Sequence, residues 1–395
     1  MGWLKNLALS IVSLLCGLLL IEFALRAMGW SFPIFMYPDV DLGWSHRPGI
    51  VGWSSHENTV YLRMNRFGFR GPDWSQRPPT DTFRIAIIGD SFVEASNLPD
   101  EHSLTTRIEK RLSICPAFVD RHVEVLNFGV SGYGTAQEYL LLQRHVVLFH
   151  PDLVLLALYV GNDVSDNATS LSVESQKARP YFIELPSGEL HLDTSFRSTD
   201  RFRKAIDSDW QSRLVNASYL LQMLKQFYIK RSVVPPPVES QNLRRDTVQN
   251  NALPVPESSK LYSSSHDDIW LTAWSVTEKL LLKMRDWSSQ KSIEFQLVIL
   301  PAPIQALPGE DMRRTANQAF GLADLDYPSK RIAQFALQNR IPYLNLLDPF
   351  RAHSDREREF LYGFPPHVGD GHLNATGNKI GGELIADWLC RNLSP

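Results

Sequence analysis

Cysteine is scarce in this chain: three in 395 residues, at Cys16, Cys115 and Cys390. None of the short spacings used by thiolate metal sites is present, which argues against a zinc or iron–sulfur centre built on cysteine. Charge of one sign is missing too. Forty Lys and Arg stand against 43 Asp and Glu, for a net charge of −3, and no basic stripe runs along the chain. That composition lacks the electrostatic footprint of a nucleic-acid-binding protein, and no nucleic-acid partner is expected. There is no internal repeat of the solenoid or propeller kind. Nor does a clean small-x-small cleavage pattern follow the apolar run at the amino terminus.

That run is the first positive feature. Leu7 to Ile21 is uncharged and almost wholly apolar, Lys5 precedes it, and Phe23 to Met28 extend it past Glu22 with Arg26 as a second interruption. A bilayer core needs roughly 20 mainly apolar residues. Leu7–Met28 reaches this if Glu22 and Arg26 lie near the interface, where Trp30 also falls. An uncleaved anchor is expected over residues 1–30, with a signal peptide as the alternative. Lys5 would hold the amino terminus in the cytoplasm, and the rest of the chain would lie outside the membrane.

Residues 31–82 are rich in Pro, Gly and Trp and read as a β-rich lead-in packed against the main domain, with a strand near Val60–Met64. From Phe83 the pattern changes. Ile85–Ile88 is a short β-branched apolar run, the mark of a strand buried on both faces. It stops at Gly89, Asp90 and Ser91, and apolar residues at helical spacing follow at Leu104, Ile108 and Leu112. Val123–Leu126, Asp152–Tyr159, Phe295–Leu300 and Ile341–Leu347 read as further strands. Helical patterns over Ala136–Val147, Ile269–Trp287 and Arg331–Gln338 lie between them, and a last one follows Asn374, a plausible N-cap. Strands alternating with helices predict βαβ units, a parallel sheet and an α/β fold. The middle third departs from this pattern. A hairpin is expected at Tyr181–Leu192, turning at Pro186–Gly188, then a helix at Tyr219–Ile229. Arg231–Ser265, crowded with Pro, Ser, Asn and Gln, reads as a mobile excursion.

Four strand-to-helix loops carry the residues of interest: Ser91, Gly132, Asn162, and the pair Asp370 and His372. In a parallel sheet such loops open on one edge, so residues distant in sequence converge there. Acyl transfer needs this kind of set. A serine hydroxyl is a weak nucleophile, so an imidazole must take its proton, and a carboxylate must hold that imidazole in the right tautomer. Oxyanion donors would be the N–H groups of Ser91 and Gly132 and the side-chain amide of Asn162. Each position also has an ordinary explanation. Asp90 and Ser91 can cap a helix, Gly132 can serve a turn, Asn162 can bond its own backbone, and His372 can start a helix.

Taken together, the blocks resemble those of the SGNH, or GDSL, hydrolase family. Gly89-Asp90-Ser91 is similar to its first block, Asn127, Gly129 and Gly132 to its glycine block, and Gly161-Asn162-Asp163 to its asparagine block. Asp370, His372, Asn374 and Gly377 are similar to the last. The resemblance covers about Arg84–Asn392 and is weak over 168–265, where an irregular insertion is expected. It implies a flavodoxin-like three-layer sandwich with strand order 2-1-3-4-5 over residues 83–395. It also implies cleavage of ester or thioester bonds, and neither metal nor organic cofactor. Ser91 would be the nucleophile, His372 the base and Asp370 the orienting acid, with Ser91, Gly132 and Asn162 as the oxyanion hole. The family pattern puts the acid three residues before the histidine, a place held here by Gly369. Asp370 can serve only if its loop is extended or turned; His367 and Asp348 are the substitutes for base and acid. Cys115 and Cys390 fall at the ends of the first and last helices around the sheet, which share a face in this topology. A disulfide between them is the hypothesis, and two inert buried thiols the alternative. The expected substrate is an acylated small molecule, lipid or polysaccharide. Family relatives tied to membranes include O-acetyltransferases and deacetylases of surface polymers, so acyl transfer to a glycan stands beside hydrolysis. A carbohydrate-binding relative without turnover is the remaining alternative.

Overall fold

Residues 2–232, 253–256, 258–264 and 267–393 are described by the computed structural model. Most of the Arg231–Ser265 excursion therefore lies outside the described residues. The strands are β1 Met36–Asp39, β2 Gly43–His46, β3 Val51–Ser55, β4 Thr59–Arg63, β5 Thr82–Gly89, β6 His122–Gly129, β7 Leu153–Tyr159, β8 Tyr181–Glu184, β9 Leu190–Asp193, β10 Glu294–Leu300 and β11 Tyr343–Asn345. The helices are α1 Gly2–Ala27, α2 Ser91–Glu94, α3 Leu104–Leu112, α4 Thr135–Arg144, α5 Asp200–Asp207, α6 Asp209–Ala217, α7 Tyr219–Ser232, α8 Asp268–Gln290, α9 Glu310–Phe320, α10 Tyr327–Gln338, α11 Leu347–Glu357 and α12 Ala375–Asn392.

Five strands form one parallel sheet in the order β11-β10-β7-β5-β6. Counted along the chain this is 2-1-3-4-5, the order that the resemblance implies. Every residue of the middle strand β7 is buried, as is Ile85–Ile88 in β5. Such continuous apolar strands survive only where helices cover both faces. The connections decide which helix goes where. The chain steps from β5 through α3 to β6, then returns past β5 through α4 to β7. With right-handed crossovers this reversal puts α3 and α4 on opposite faces. The last helix, α12, packs on α3, and α8 packs beside α4. Cys115, just after α3, is disulfide-bonded to Cys390 near the end of α12, with 6.0 Å between their Cα atoms. The bridge hypothesised from the sequence is present.

Two antiparallel hairpins, β1–β2 and β3–β4, make up the lead-in, and a third, β8–β9, turns where the sequence predicts. The lead-in is built into the main domain at buried positions. Arg70 donates to the carbonyls of Glu94, Ala95 and Leu98 in the loop after Ser91, at 3.0 Å for Glu94. Gln137 of α4 donates to the Leu42 carbonyl at 2.6 Å. The helices α5, α6, α9 and α11 are additions to the sequence reading. The first three are short, at 8, 9 and 11 residues, and give an apolar period only two or three turns in which to show. Helix α1 is long and apolar enough to cross a bilayer, and none of the 18 residues of its apolar stretch is buried, features that a signal sequence shares.

Candidate active site

β5 delivers Ser91 to the sheet edge. Asp90 caps the short helix α2 by accepting the Phe92 N–H at 2.9 Å. Ser91 Oγ lies 2.7 Å from His372 Nε2, across 281 positions of sequence. His372 stands just before α12, whose N-cap Asn374 accepts the Gly377 N–H at 2.9 Å. Its ring rests 5.0 Å from that of Phe92, which stacks on Tyr159 at 4.1 Å.

The other ring nitrogen meets an acid that sequence reasoning did not single out. His372 Nδ1 is 2.8 Å from Glu57 Oε1, and the His372 N–H donates to Glu57 Oε2 at 3.2 Å. Glu57 sits in the turn of the β3–β4 hairpin, outside the sheet. The Asn97 amide donates to Glu57 Oε2 at 3.0 Å, and the Asn58 amide donates to the Asn97 carbonyl at 3.1 Å, so Asn97 holds two successive residues of the turn. Backbone conformation permits this approach. Gly371 has φ +84°, and a Cβ there would stand 2.3 Å from Glu57 Oε1. With a carboxylate on Nδ1, the ring carries its proton there and Nε2 is left to accept from the serine hydroxyl.

Asp370, the acid expected from the sequence, is not brought to the imidazole. It is exposed, and its Oδ1 accepts the N–H of the next residue, Gly371, at 2.8 Å. The cause is local. Gly369 and Gly371 flank it with φ of +92° and +84°, and this double left-handed turn leaves the Asp370 carboxylate on its own backbone. His367 and Asp348 are likewise exposed and line no part of the cavity around Ser91. No motif flagged Glu57: an acid in a polar hairpin turn, Ser55-His56-Glu57-Asn58, is ordinary in sequence. Only the fold brings it 315 positions away to His372.

Ser91, Gly132, Asn162, His372 and Glu57 line one open cavity of about 650 Å³. Gly132 has φ +78°, and a Cβ there would lie 2.8 Å from the Gln176 amide nitrogen. The Asn162 amide donates one N–H to Asp166 Oδ2 at 3.2 Å, while Asp166 is ion-paired to Arg179 at 3.0 Å. The same side chain also hydrogen-bonds to the Asp90 carboxyl, and Asn162 lines the cavity.

The electrostatics divide into two groups. Burial works against charge on both His372 and Glu57, yet their mutual hydrogen bond and attraction prevail. The histidine is raised above its ordinary value, helped by Asp90 and Glu94, and the glutamate is held below its own. Beneath them lies a set of wholly buried carboxyls. Burial pushes Asp90, Glu138 and Asp163 upward, and their mutual repulsion adds to the shift for Glu138 and Asp163. Neither oxygen of Glu138 has a hydrogen-bond partner among the described residues. Glu94 is different. Burial opposes its charge, but His46 at 3.3 Å and the Ser131 N–H at 2.6 Å hold its pKa down to about 2. Among the described residues no group of three or more His, Cys, Asp or Glu is arranged to hold a metal ion.

No family model matches the chain, and no curated protein does. Among solved structures it is similar to the acetyl xylan esterase AlAXEase, at 14% identity over 79% of this chain and 100% of that one, TM-score 0.38. It is similar to an acetylxylan esterase from Geobacillus stearothermophilus, at 11% identity over 79% and 94%, TM-score 0.38. A GDSL-like lipase from Bacteroides thetaiotaomicron gives 13% identity over 81% and 93%, TM-score 0.35. These likenesses are faint, and the functional reading below is argued from the geometry of this chain.

Proposed function

We propose that this protein is a serine esterase of the SGNH type, with Ser91 as nucleophile, His372 as general base and Glu57 as the acid that orients it. The observation that carries the reading is the unbroken chain Ser91 Oγ–His372 Nε2, His372 Nδ1–Glu57, with links of 2.7 and 2.8 Å. His372 takes the hydroxyl proton as Oγ attacks the ester carbonyl carbon, and Glu57 stabilises the imidazolium that forms. The carbonyl oxygen becomes an oxyanion facing the Ser91 and Gly132 N–H groups and the Asn162 amide; losing one such donor commonly costs about 3 kcal/mol. His372 then protonates the departing alcohol, leaving an acyl group on Ser91. Water, activated by the same histidine, releases it as the acid.

The cavity walls support a short acyl group on a polar alcohol. Apart from Phe92 and Tyr159 they present polar side chains, among them Ser55, His56, Ser96, Asn97 and Gln176. A long acyl chain would need an apolar tunnel to leave water. An acetylated sugar fits this lining, and a sugar hydroxyl replacing water as the acceptor would turn the same acyl-enzyme into a transferase. We read α1 as a retained anchor that holds the domain on the extracytoplasmic side. The Cys115–Cys390 bridge supports that compartment, since disulfides persist where the surroundings are oxidising.

A fluorophosphonate probe tests the centre directly. Wild type is expected to be labelled and Ser91→Ala not. Equal labelling of both would remove Ser91 as nucleophile, and no labelling of wild type would favour a binding protein without turnover. A series of nitrophenyl esters from acetate to decanoate should give the highest kcat/KM at the short end. Acetyl release measured against acetyl transfer to a glycan decides between hydrolase and transferase.

A further inference from the structure

The last turns of α1 are not a free tether. The Glu22 carboxylate accepts the N–H groups of Tyr219 and Leu220, at 3.0 and 2.8 Å, and the Ser218 hydroxyl at 2.8 Å. It thereby caps the first turn of α7, whose N–H groups would otherwise lack partners and whose dipole favours an anion. One turn later on α1, the Arg26 guanidinium donates to the carbonyl of Ala217, the final residue of α6, at 2.7 Å, and stacks over Tyr219. A single acid and a single base on the anchor thus satisfy both sides of the α6–α7 junction. Buried Gln222 of α7 extends the joint by accepting from the Phe32 N–H at 2.7 Å and the Ser31 hydroxyl at 3.1 Å. Any motion of α1 must carry these two helices with it.

This joint fixes where α6 and α7 stand relative to a bilayer. At 1.5 Å per residue, Gly2 to Glu22 covers about 30 Å, the thickness of a hydrocarbon core. Glu22 and Arg26 then come to the outer boundary, where charged groups can sit. The α6–α7 junction comes with them to headgroup depth. These two helices expose large apolar side chains: Trp210 and Leu214 on α6, and Leu224, Phe227 and Tyr228 on α7, each more than half exposed. Patches of this kind beside a polar rim mark interaction surfaces, and an aromatic-rich helix at headgroup depth is how interfacial helices bind lipid.

We infer that α6–α7 forms a second, non-spanning contact with the bilayer, lying in the headgroup layer next to α1. The occupant is lipid, because the apolar surface is welded to the one helix long and apolar enough to span a membrane among the described residues. The inference rests on the anchor reading and not on ester cleavage, and its readout does not involve activity.

The full chain carrying Cys16→Ser, with one added cysteine at Leu224→Cys or Phe227→Cys, is labelled with an environment-sensitive fluorophore. It is then reconstituted into phosphatidylcholine–phosphatidylglycerol vesicles containing nitroxide lipids. Native Cys16, exposed on α1, serves as the spanning reference. Val119→Cys, 79% exposed and outside the joint, serves as the solvent reference. Quenching at 224 and 227 several-fold above that at 119, strongest for a nitroxide near the headgroup, is expected. Quenching no greater than at 119, with the Cys16 probe quenched, overturns the second contact alone. An unquenched Cys16 probe overturns the anchor as well. Probes shielded from water in proportion to protein density, yet unaffected by nitroxide lipid, would mean a second copy covers the patch, which also overturns the lipid assignment.

Discussion

At the scale of single residues, Glu57 and Asp370 compete for one role and only Glu57 is within reach of it. Glu57→Gln should lower kcat/KM by about 10²–10⁴-fold, because an amide offers Nδ1 a donor where the imidazole needs an acceptor. Asp370→Asn should stay within about threefold of wild type. The reverse pattern in an ester-hydrolysis assay would restore Asp370. The charge on Glu57 also sets the pH profile. His372 must be neutral to accept a proton, and its pKa is raised, so activity should fall as pH drops through a value above the ordinary imidazole's of about 6.5. Glu57→Gln removes the charge that raises it, and the acid limb of whatever activity remains should move to lower pH. Glu138 gives a stability prediction. A carboxyl whose pKa is raised in the folded state binds more protons there than in the unfolded chain, so its contribution is lost as pH climbs above the unfolded value of about 4.3. Glu138→Gln should therefore raise Tm at pH 8 and change it little at pH 4. The scale is about 2–4 °C per kcal/mol for a large domain, and a Tm unchanged at pH 8 would count against the buried, unpaired acid.

Among the elements, the β3–β4 hairpin has the most to explain. It pairs with no strand of the main sheet, yet its turn carries the carboxylate that meets His372. The fit depends on Gly371 as much as on the hairpin. Gly371→Ala would place a Cβ into Glu57 Oε1 and force a left-handed φ on a residue that resists it, at about 1–2 kcal/mol. We expect at least a tenfold loss of kcat with a drop of a few degrees in Tm. Circular dichroism should otherwise match wild type, and full activity would mean the Glu57 contact is dispensable. Strand β7 was legible because two-sided burial writes itself as an unbroken apolar run over Leu153–Tyr159, and β5 and β10 carry shorter ones at Ile85–Ile88 and Leu297–Leu300. Helices α5 and α6 were not, since at 8 and 9 residues they span barely two turns of the helical period.

Over the whole molecule, one link ties the last helix to α3 and another ties the exit of α1 to the lead-in hairpin. The Cys115–Cys390 bridge closes a loop of 275 residues between α3 and α12, and α12 follows directly on the His372 loop. Cys115→Ser with Cys390→Ser should destabilise the protein by about 2–5 kcal/mol. Thermal unfolding with and without reductant measures this, and identical curves for wild type in both conditions would exclude the bridge. At the other end, the Trp53 N–H and indole donate to the carbonyls of Ser31 and Gly29, at 2.7 and 3.3 Å. The strand that leads into the Glu57 turn therefore starts at the exit of α1. Glu57 lies four positions beyond Trp53, at most about 14 Å of chain.

The sequence by itself determined the α/β class, the positions of the sheet strands, the convergence of Ser91 and His372 at one edge, and the apolar amino-terminal helix. Each of these is a local pattern or a consequence of strand order. The carboxylate that meets His372 was beyond it. Asp370 lies two residues from His372 and Glu57 lies 315 away, and only the packing of the lead-in, through Arg70, Asn97 and the left-handed Gly371, puts the distant carboxylate on the imidazole. Proximity along a chain counts for little where two glycines can turn a neighbour aside, and contact across it is settled by which surfaces pack.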